Sequence, residues 1–139
     1  MCRPTHFTVE YAINPWMKPG TVDKKKALQQ WETLIEQLQS QEVKVEIIDQ
    51  VKGLPDMVFA ADQGITMKDK VLLSRFRYSQ RQKETFEYKK WFKNHQYEIV
   101  EMGNRKLEIL NYELSFEGGG ESVFLGDKLV IGTGFRTTK

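Results

Sequence analysis

A single cysteine, Cys2, occurs among the 139 residues, so no disulfide can close within the chain, and a reducing compartment is the default expectation. There are two histidines, His6 and His95, and no His/Cys spacing matches a metal site; neither a metal nor a cofactor is expected. Long hydrophobic runs are missing as well. No stretch approaches the ~20 apolar residues of a membrane helix, and the opening "MCRPTHFTVEYAINPWM" has no apolar core of a secretory leader. The expected setting is cytoplasmic, with no membrane partner. Charge of one sign is scarce too. The net charge is +2 with both signs interspersed, and the longest basic run, "DKKK", opens a predicted helix as a solvated face. "RFRYSQRQK" (residues 75–83) mixes bases with aromatics, but Glu84 and Glu87 dilute it, so nucleic acid is not expected as a partner.

What the chain does have is an ordinary soluble balance, 40% apolar and 29% charged, at a length that suits one domain with a real core. "HFTVEYAI" (6–13) alternates as a strand does, and "NPWMKPG" breaks it. Ala27, Leu28, Trp31, Leu34, Ile35 and Leu38 recur at helical spacing, with Thr21 as the expected N-cap. "VKVEIID" (43–49) reads as a strand. Residues 64–75 read as a hairpin about "KDK". "SQRQ" (79–82) matches a capping box with Ser79 as cap and Gln82 three residues on, opening a helix to about His95 that uses Phe86, Tyr88, Trp91 and Phe92. "YEIVEM" (97–102) and "KLEIL" (106–110) read as extended, and "ESVFLGDKLVIGTG" as a second hairpin about Gly126-Asp127. The class is α/β.

The two hairpins resemble each other. "ITMKDKVLL" begins at Ile65 and "VFLGDKLVI" at Val123, and 58 residues separate Asp69 from Asp127. Each hairpin is preceded by a helix and then a strand. A unit that cannot seal its own apolar face and occurs twice points to modules stacked about an axis. The chain ends soon after a strand, and an open strand edge invites pairing with another chain.

Acids and arginines sit at equivalent stations of the two units. "FEGGGE" (116–121) has neither the lysine nor the Ser/Thr and helix of a phosphate loop, and Glu117 and Glu121 would repel phosphate. Two readings stay open: a glycine-rich corner whose acids face a cationic, hydrogen-donating ligand, or a bend at the start of a hairpin. "LPDMVFAADQG" (54–64) brings Asp56 and Asp62 to the first hairpin in the same way, although Asp56 equally suits a turn cap after Pro55. Around one axis these acids can converge, and a guanidinium, with five N–H donors, needs such acceptors. Arg75 and Arg77 follow the first hairpin and Arg136 the second. Each is either a fork for a substrate carboxylate or a surface ion pair. Arg81 and Glu84 are spaced to pair with each other.

Together "HFTVEYAINPWM", "LPDMVFAADQG", "LLSRFRYSQRQKET", "YKKWF" and "FEGGGESVFLGDKLVIGTGFRT" resemble the amidinotransferase/dimethylarginine dimethylaminohydrolase superfamily, most of all its bacterial-type dimethylarginine dimethylaminohydrolase-like branch. The resemblance runs from Cys2 to Thr138. It implies the pentein fold, an α/β propeller of five ββαβ modules, of which this chain would hold two to three within a single shortened domain, 1–139. It also implies guanidine chemistry, hydrolase or transferase. In that superfamily a cysteine attacks the guanidinium carbon, a histidine serves as acid and base, acids hold the nitrogens, and arginines hold the substrate carboxylate.

By that resemblance the substrate-binding positions are Asp56, Asp62, Arg75, Glu117, Glu121 and Arg136. Ala61 stands where many members have Glu, and Asn is common in the place of Asp62. The family's catalytic histidine and cysteine fall beyond this chain, so no catalytic residue is assigned: Cys2, His6 and His95 are expected to be structural or solvated. The expected function is the N-terminal part of a guanidino-modifying enzyme, inactive alone, that engages an arginine-like small molecule. The alternative is a non-catalytic module that pairs with itself or with a complementary C-terminal half through open strand edges.

Overall fold

A computed structural model describes residues 1–102 and 114–138; the extended segment expected at 106–110 lies outside them. The chain forms two compact units, Met1–Ala60 and Ala61–Lys139.

In the first unit α1 spans Lys24–Ser40. Its cap is Asp23, not Thr21: the Asp23 carboxylate accepts from the Lys26 N–H at 3.0 Å, whereas the Thr21 hydroxyl donates to the Lys18 carbonyl. Asp at this position satisfies an otherwise orphaned helix donor. The strand expected at 6–13 does not form. Its backbone groups go elsewhere: the His6 N–H donates to the Gln50 side chain at 2.6 Å, and the Val9 carbonyl accepts from the Gly20 N–H. The segment 43–49 is reduced from a strand to a single parallel bridge, Cys2 opposite Ile48. Cys2, Ile35, Ile48, Leu54 and Met57 are buried. Gln50, also buried, donates to the carbonyls of Leu54 and Pro55 and so fixes the 3-10 turn Pro55–Val58.

The second unit holds the first hairpin, β1 (Gly64–Met67) and β2 (Lys70–Leu73), paired Gly64 to Leu73 through Met67 to Lys70. After α2 (Ser79–Gln82) and α3 (Glu84–Asn94), β3 (Glu98–Val100) joins parallel to β2, with Val71 opposite Ile99. The expected capping box is absent. Helix α2 starts one residue early, with Tyr78 as cap and no side-chain bond, and Gln82 instead donates to the Phe76 carbonyl at 3.2 Å. The helix reaches Asn94 with His95 at its C-cap, broken only at Lys83. Of its expected apolar face Tyr88 is buried while Phe86 is exposed. Val71, Leu73, Phe76, Tyr88 and Phe116 form the core, each worth on the order of 1.5–3 kcal/mol of burial. The second hairpin, β4 (Ser122–Leu125) and β5 (Lys128–Ile131), follows a 3-10 turn at Gly118–Gly120. It turns at Gly126, whose φ of 62° suits glycine.

Candidate functional site

The glycine-rich corner and the loop before β1 meet. A Cβ on Gly118 would stand 2.7 Å from the Gly64 nitrogen and 2.8 Å from the Asp62 carbonyl oxygen, and one on Gly120 would strike the Asp62 carboxylate. Only glycine lets the two backbones approach this closely. The bridge between Arg75 and Phe116, with N–H···O bonds in both directions, holds the corner in place. Ser122 adds a hydroxyl bond to the Gly118 carbonyl at 2.6 Å.

This contact assembles a charged cluster within the second unit. Arg81, 4% exposed, lies over the Phe76 ring. Its fork donates to Asp62 Oδ2 at 2.8 Å and to Glu84 Oε2 at 3.0 Å. The Gln63 amide donates to the same Glu84 oxygen at 2.6 Å. Arg136 is the second hub. Its Nε donates to Glu121 Oε1 at 3.0 Å, and its Nη1 lies 3.4 Å from Glu117 Oε2 and 3.8 Å from Asp62 Oδ2. Four carboxylates, of Asp62, Glu84, Glu117 and Glu121, thus face two guanidinium groups, of Arg81 and Arg136. The bend carrying Arg136, beyond β5, is fixed by Ser115, whose hydroxyl donates to the Arg136 carbonyl, and by Thr137, whose hydroxyl accepts from the Glu117 N–H.

Electrostatics follow from burial. Desolvation would lower the affinity of Arg81 for its proton, but hydrogen bonds and charge from Glu84 and Asp62 overcome it and drive the value far up. The Glu117 carboxyl is pushed above its ordinary value of 4.5 by burial first, with Asp62 adding to the shift. Arg136, Arg81 and the Arg77 backbone pull it back only in part. Three buried acceptors here have no hydrogen-bond partner among the described residues: Glu117 Oε1, Glu121 Oε2 and Gln63 Oε1. Buried polar atoms are normally satisfied, so the cluster can accept further N–H donors.

Of the six expected binding residues, Asp62, Glu117, Glu121 and Arg136 come together. Arg75 stands at the end of β2, engages the corner through its backbone and lines a cavity of about 390 Å³ with Leu73, Phe76, Thr85 and Phe86. Asp56 is in the first unit, buried, and accepts from the Tyr11 hydroxyl at 2.8 Å. Arg81 and Glu84 pair as their spacing predicts, and Asp62 and Gln63 share them, which their places in the sequence do not show. The i, i+3 spacing was the available signal; nothing marked Gln63. Cys2 is 1% exposed, and His95 stacks on Trp91 at 3.8 Å. Among the described residues no helix is long and apolar enough to cross a membrane, and no group of three or more His, Cys, Asp or Glu is placed to hold a metal.

Residues 3–138 match a family described as N,N dimethylarginine dimethylhydrolase, eukaryotic. The protein ZK1307.1 of Caenorhabditis elegans is 44% identical over all of this chain and 47% of its own length. The N(G),N(G)-dimethylarginine dimethylaminohydrolase of Mycobacterium tuberculosis is 34% identical over 99% of this chain and 42% of its own. Among solved structures, the N-terminal domain of the cyanobacterial arginine dihydrolase ArgZ, bound to its substrate, superposes with a TM-score of 0.88 at 35% identity, over 99% of this chain and 49% of that one. The chain spans about half the length of the curated relatives it matches.

Proposed function

The chain belongs to the dimethylarginine dimethylaminohydrolase family, and on that premise we propose that it is the N-terminal half of a guanidino-modifying enzyme, a single pentein-type domain of two to three ββαβ modules that carries substrate-binding loops and no nucleophile. The observation that carries the reading is the acid-rich cluster with its unpartnered oxygens. Glu117 Oε1 and Glu121 Oε2 are acceptors in search of donors, and a guanidinium is a planar array of five. Arg136 beside them, and Arg75 at the end of β2, are the candidate forks for the carboxylate of an arginine-like substrate. Asp56 and Asp62 complete the proposed set. Asp62 already serves two arginines, so the proposal gives it the role of holding the corner together as much as of touching ligand.

Covalent guanidine chemistry needs a thiolate and a partner base. Cys2 is buried and its thiol lies against the Arg3 carbonyl. His95 presents Nδ1 to the Trp91 carbonyl at 2.7 Å. Neither is arranged as a nucleophile with its base, which supports the reading that residues 1–139 bind but do not turn over substrate. The setting proposed is cytoplasmic. The test is calorimetric titration of the purified chain with L-arginine and dimethylarginine alongside a citrulline assay. Binding that Glu117→Gln abolishes, with no citrulline, is the expected result. Citrulline formation that disappears in Cys2→Ala would overturn it.

A further inference from the structure

Two arginines serve the acid cluster, and they are held in different ways. The Arg81 side chain is 5% exposed, and its contacts to Asp62 and Glu84 are 2.8 and 3.0 Å. The Arg136 side chain is 29% exposed. Its Nε donates to Glu121 Oε1 at 3.0 Å, but Nη1 stands 3.4 Å from Glu117 Oε2 and 3.8 Å from Asp62 Oδ2, long for charge-assisted hydrogen bonds. The remaining oxygens of the same two glutamates, Glu117 Oε1 and Glu121 Oε2, are buried with no partner among the described residues. Arg136 therefore faces these acids without satisfying them.

The backbone beneath Arg136 is pinned. The Ser115 hydroxyl donates to its carbonyl at 2.6 Å. The Thr138 N–H donates to the Ser115 carbonyl at 3.1 Å, and the Gly134 N–H to the Thr137 carbonyl at 2.8 Å. What can move is the side chain, by a change of rotamer about a fixed Cα. A guanidinium arriving from solvent offers the same planar fork. It lacks that tether, and so it can meet the oxygens that Arg136 leaves unmet.

We infer that Arg136 is an internal competitor for the site: its guanidinium occupies Glu117 and Glu121 in the unliganded chain, a ligand guanidinium displaces it, and the displaced fork finds a new partner only when the ligand also carries a carboxylate. This rests on the guanidine-binding reading above and adds the exchange that precedes binding. It makes Arg136 a specificity-determining residue. A guanidine without a carboxylate leaves the displaced Arg136 charge with no acid opposite it, whereas an arginine-like ligand returns one, and specificity is the difference between those two free energies. Taking the competitor away raises apparent affinity by the inverse of the fraction of molecules whose acids stand open.

The test is calorimetric titration of the full chain and of Arg136→Ala with L-arginine, with agmatine, which is arginine without its carboxylate, and with cadaverine, a diamine that carries agmatine's charge and no guanidinium. The expected result is agmatine bound ~10-fold or more tightly by Arg136→Ala, loss of the wild-type preference for arginine over agmatine, and a change of less than ~3-fold for cadaverine. Arginine and agmatine shifting together, in either direction, would overturn the inference while the binding reading stands. Agmatine and cadaverine gaining alike would reduce Arg136 to a charge and overturn it as well. No binding of any probe to either protein would overturn the inference together with the reading beneath it. If Arg136→Ala does not fold, NMR of isotope-labelled arginine in the wild-type chain decides: agmatine should speed solvent exchange of the Arg136 Nε–H, which Glu121 otherwise protects, and a signal unchanged at saturating agmatine would overturn the exchange.

Discussion

At the scale of single residues, Arg81 decides the stability of the site. Its guanidinium is buried and divided between Asp62 and Glu84, and removing one partner of a buried ionic network leaves the others charged and unpaired. Arg81→Ala should cost roughly 3–5 kcal/mol in urea denaturation, and Arg81→Lys should recover only part, because a point charge cannot reproduce a fork that bonds Asp62 and Glu84 at once. Glu117 has the opposite sign. Its folded-state value lies above 4.5, so the folded chain holds a proton that the unfolded chain has released. The stabilisation is complete below the unfolded value and is lost as pH rises through the folded one. In a wild-type minus Glu117→Gln comparison of stability against pH, a decline from about pH 4.5 upward should appear in the wild type and be missing in the variant. A guanidinium ligand prefers the ionised carboxylate, so arginine affinity should rise across the same range. The site was half legible from sequence for a related reason. Acids flanking glycines advertise a close corner, but which arginine each acid meets depends on a fold contact between residues far apart in the chain.

At the scale of elements, the two glycine turns separate space from conformation. Gly118 and Gly126 both have positive φ, yet a Cβ at 118 meets three backbone atoms under 3.0 Å while one at 126 meets nothing. Gly126→Ala should cost about 1–2 kcal/mol for the left-handed conformation alone. Gly118→Ala should cost distinctly more and loosen Asp62 from Arg81, both visible in thermal melts. Capping offers a parallel contrast, since Asp23→Ala should remove about 1 kcal/mol and Thr21→Ala far less. These cases mark what a sequence transmits. Both hairpins, α1 and the helix ending near His95 were legible, because turn residues and 3.6-residue spacing are local facts. The strand at 6–13 was not. Alternation shows that a segment can pair, and here Gln50 and Gly20 take its backbone groups instead. The caps differ by one or two residues, because Asp23 takes the Lys26 N–H while the Thr21 hydroxyl turns back to the Lys18 carbonyl, and the second helix begins at Ser79 itself.

Across the whole molecule, stability should be spread unevenly, and the pattern follows from what each sheet touches. β2 lies between β1 and β3, with Val71 at 0% and Leu73 at 3% exposure, and the Arg81 cluster is built on the segments at either end of that hairpin. Opening β2 therefore exposes core and breaks charged contacts together. β4 and β5 have only each other in the described sheet, and their apolar side chains already face solvent, so opening them exposes little more. The repeat makes the comparison well controlled: two hairpins of similar pattern, one flanked by a third strand and one without a third strand among the described residues. Native-state amide exchange should place 71–73 among the slowest amides, near the global unfolding limit, and 123–130 among the fastest of any strand. Equal protection of the two hairpins in the isolated chain would mean that the second ribbon is stabilised by its own turn and cross-strand pairs, and that sequence similarity between the modules, not their neighbours, governs how firmly each is held.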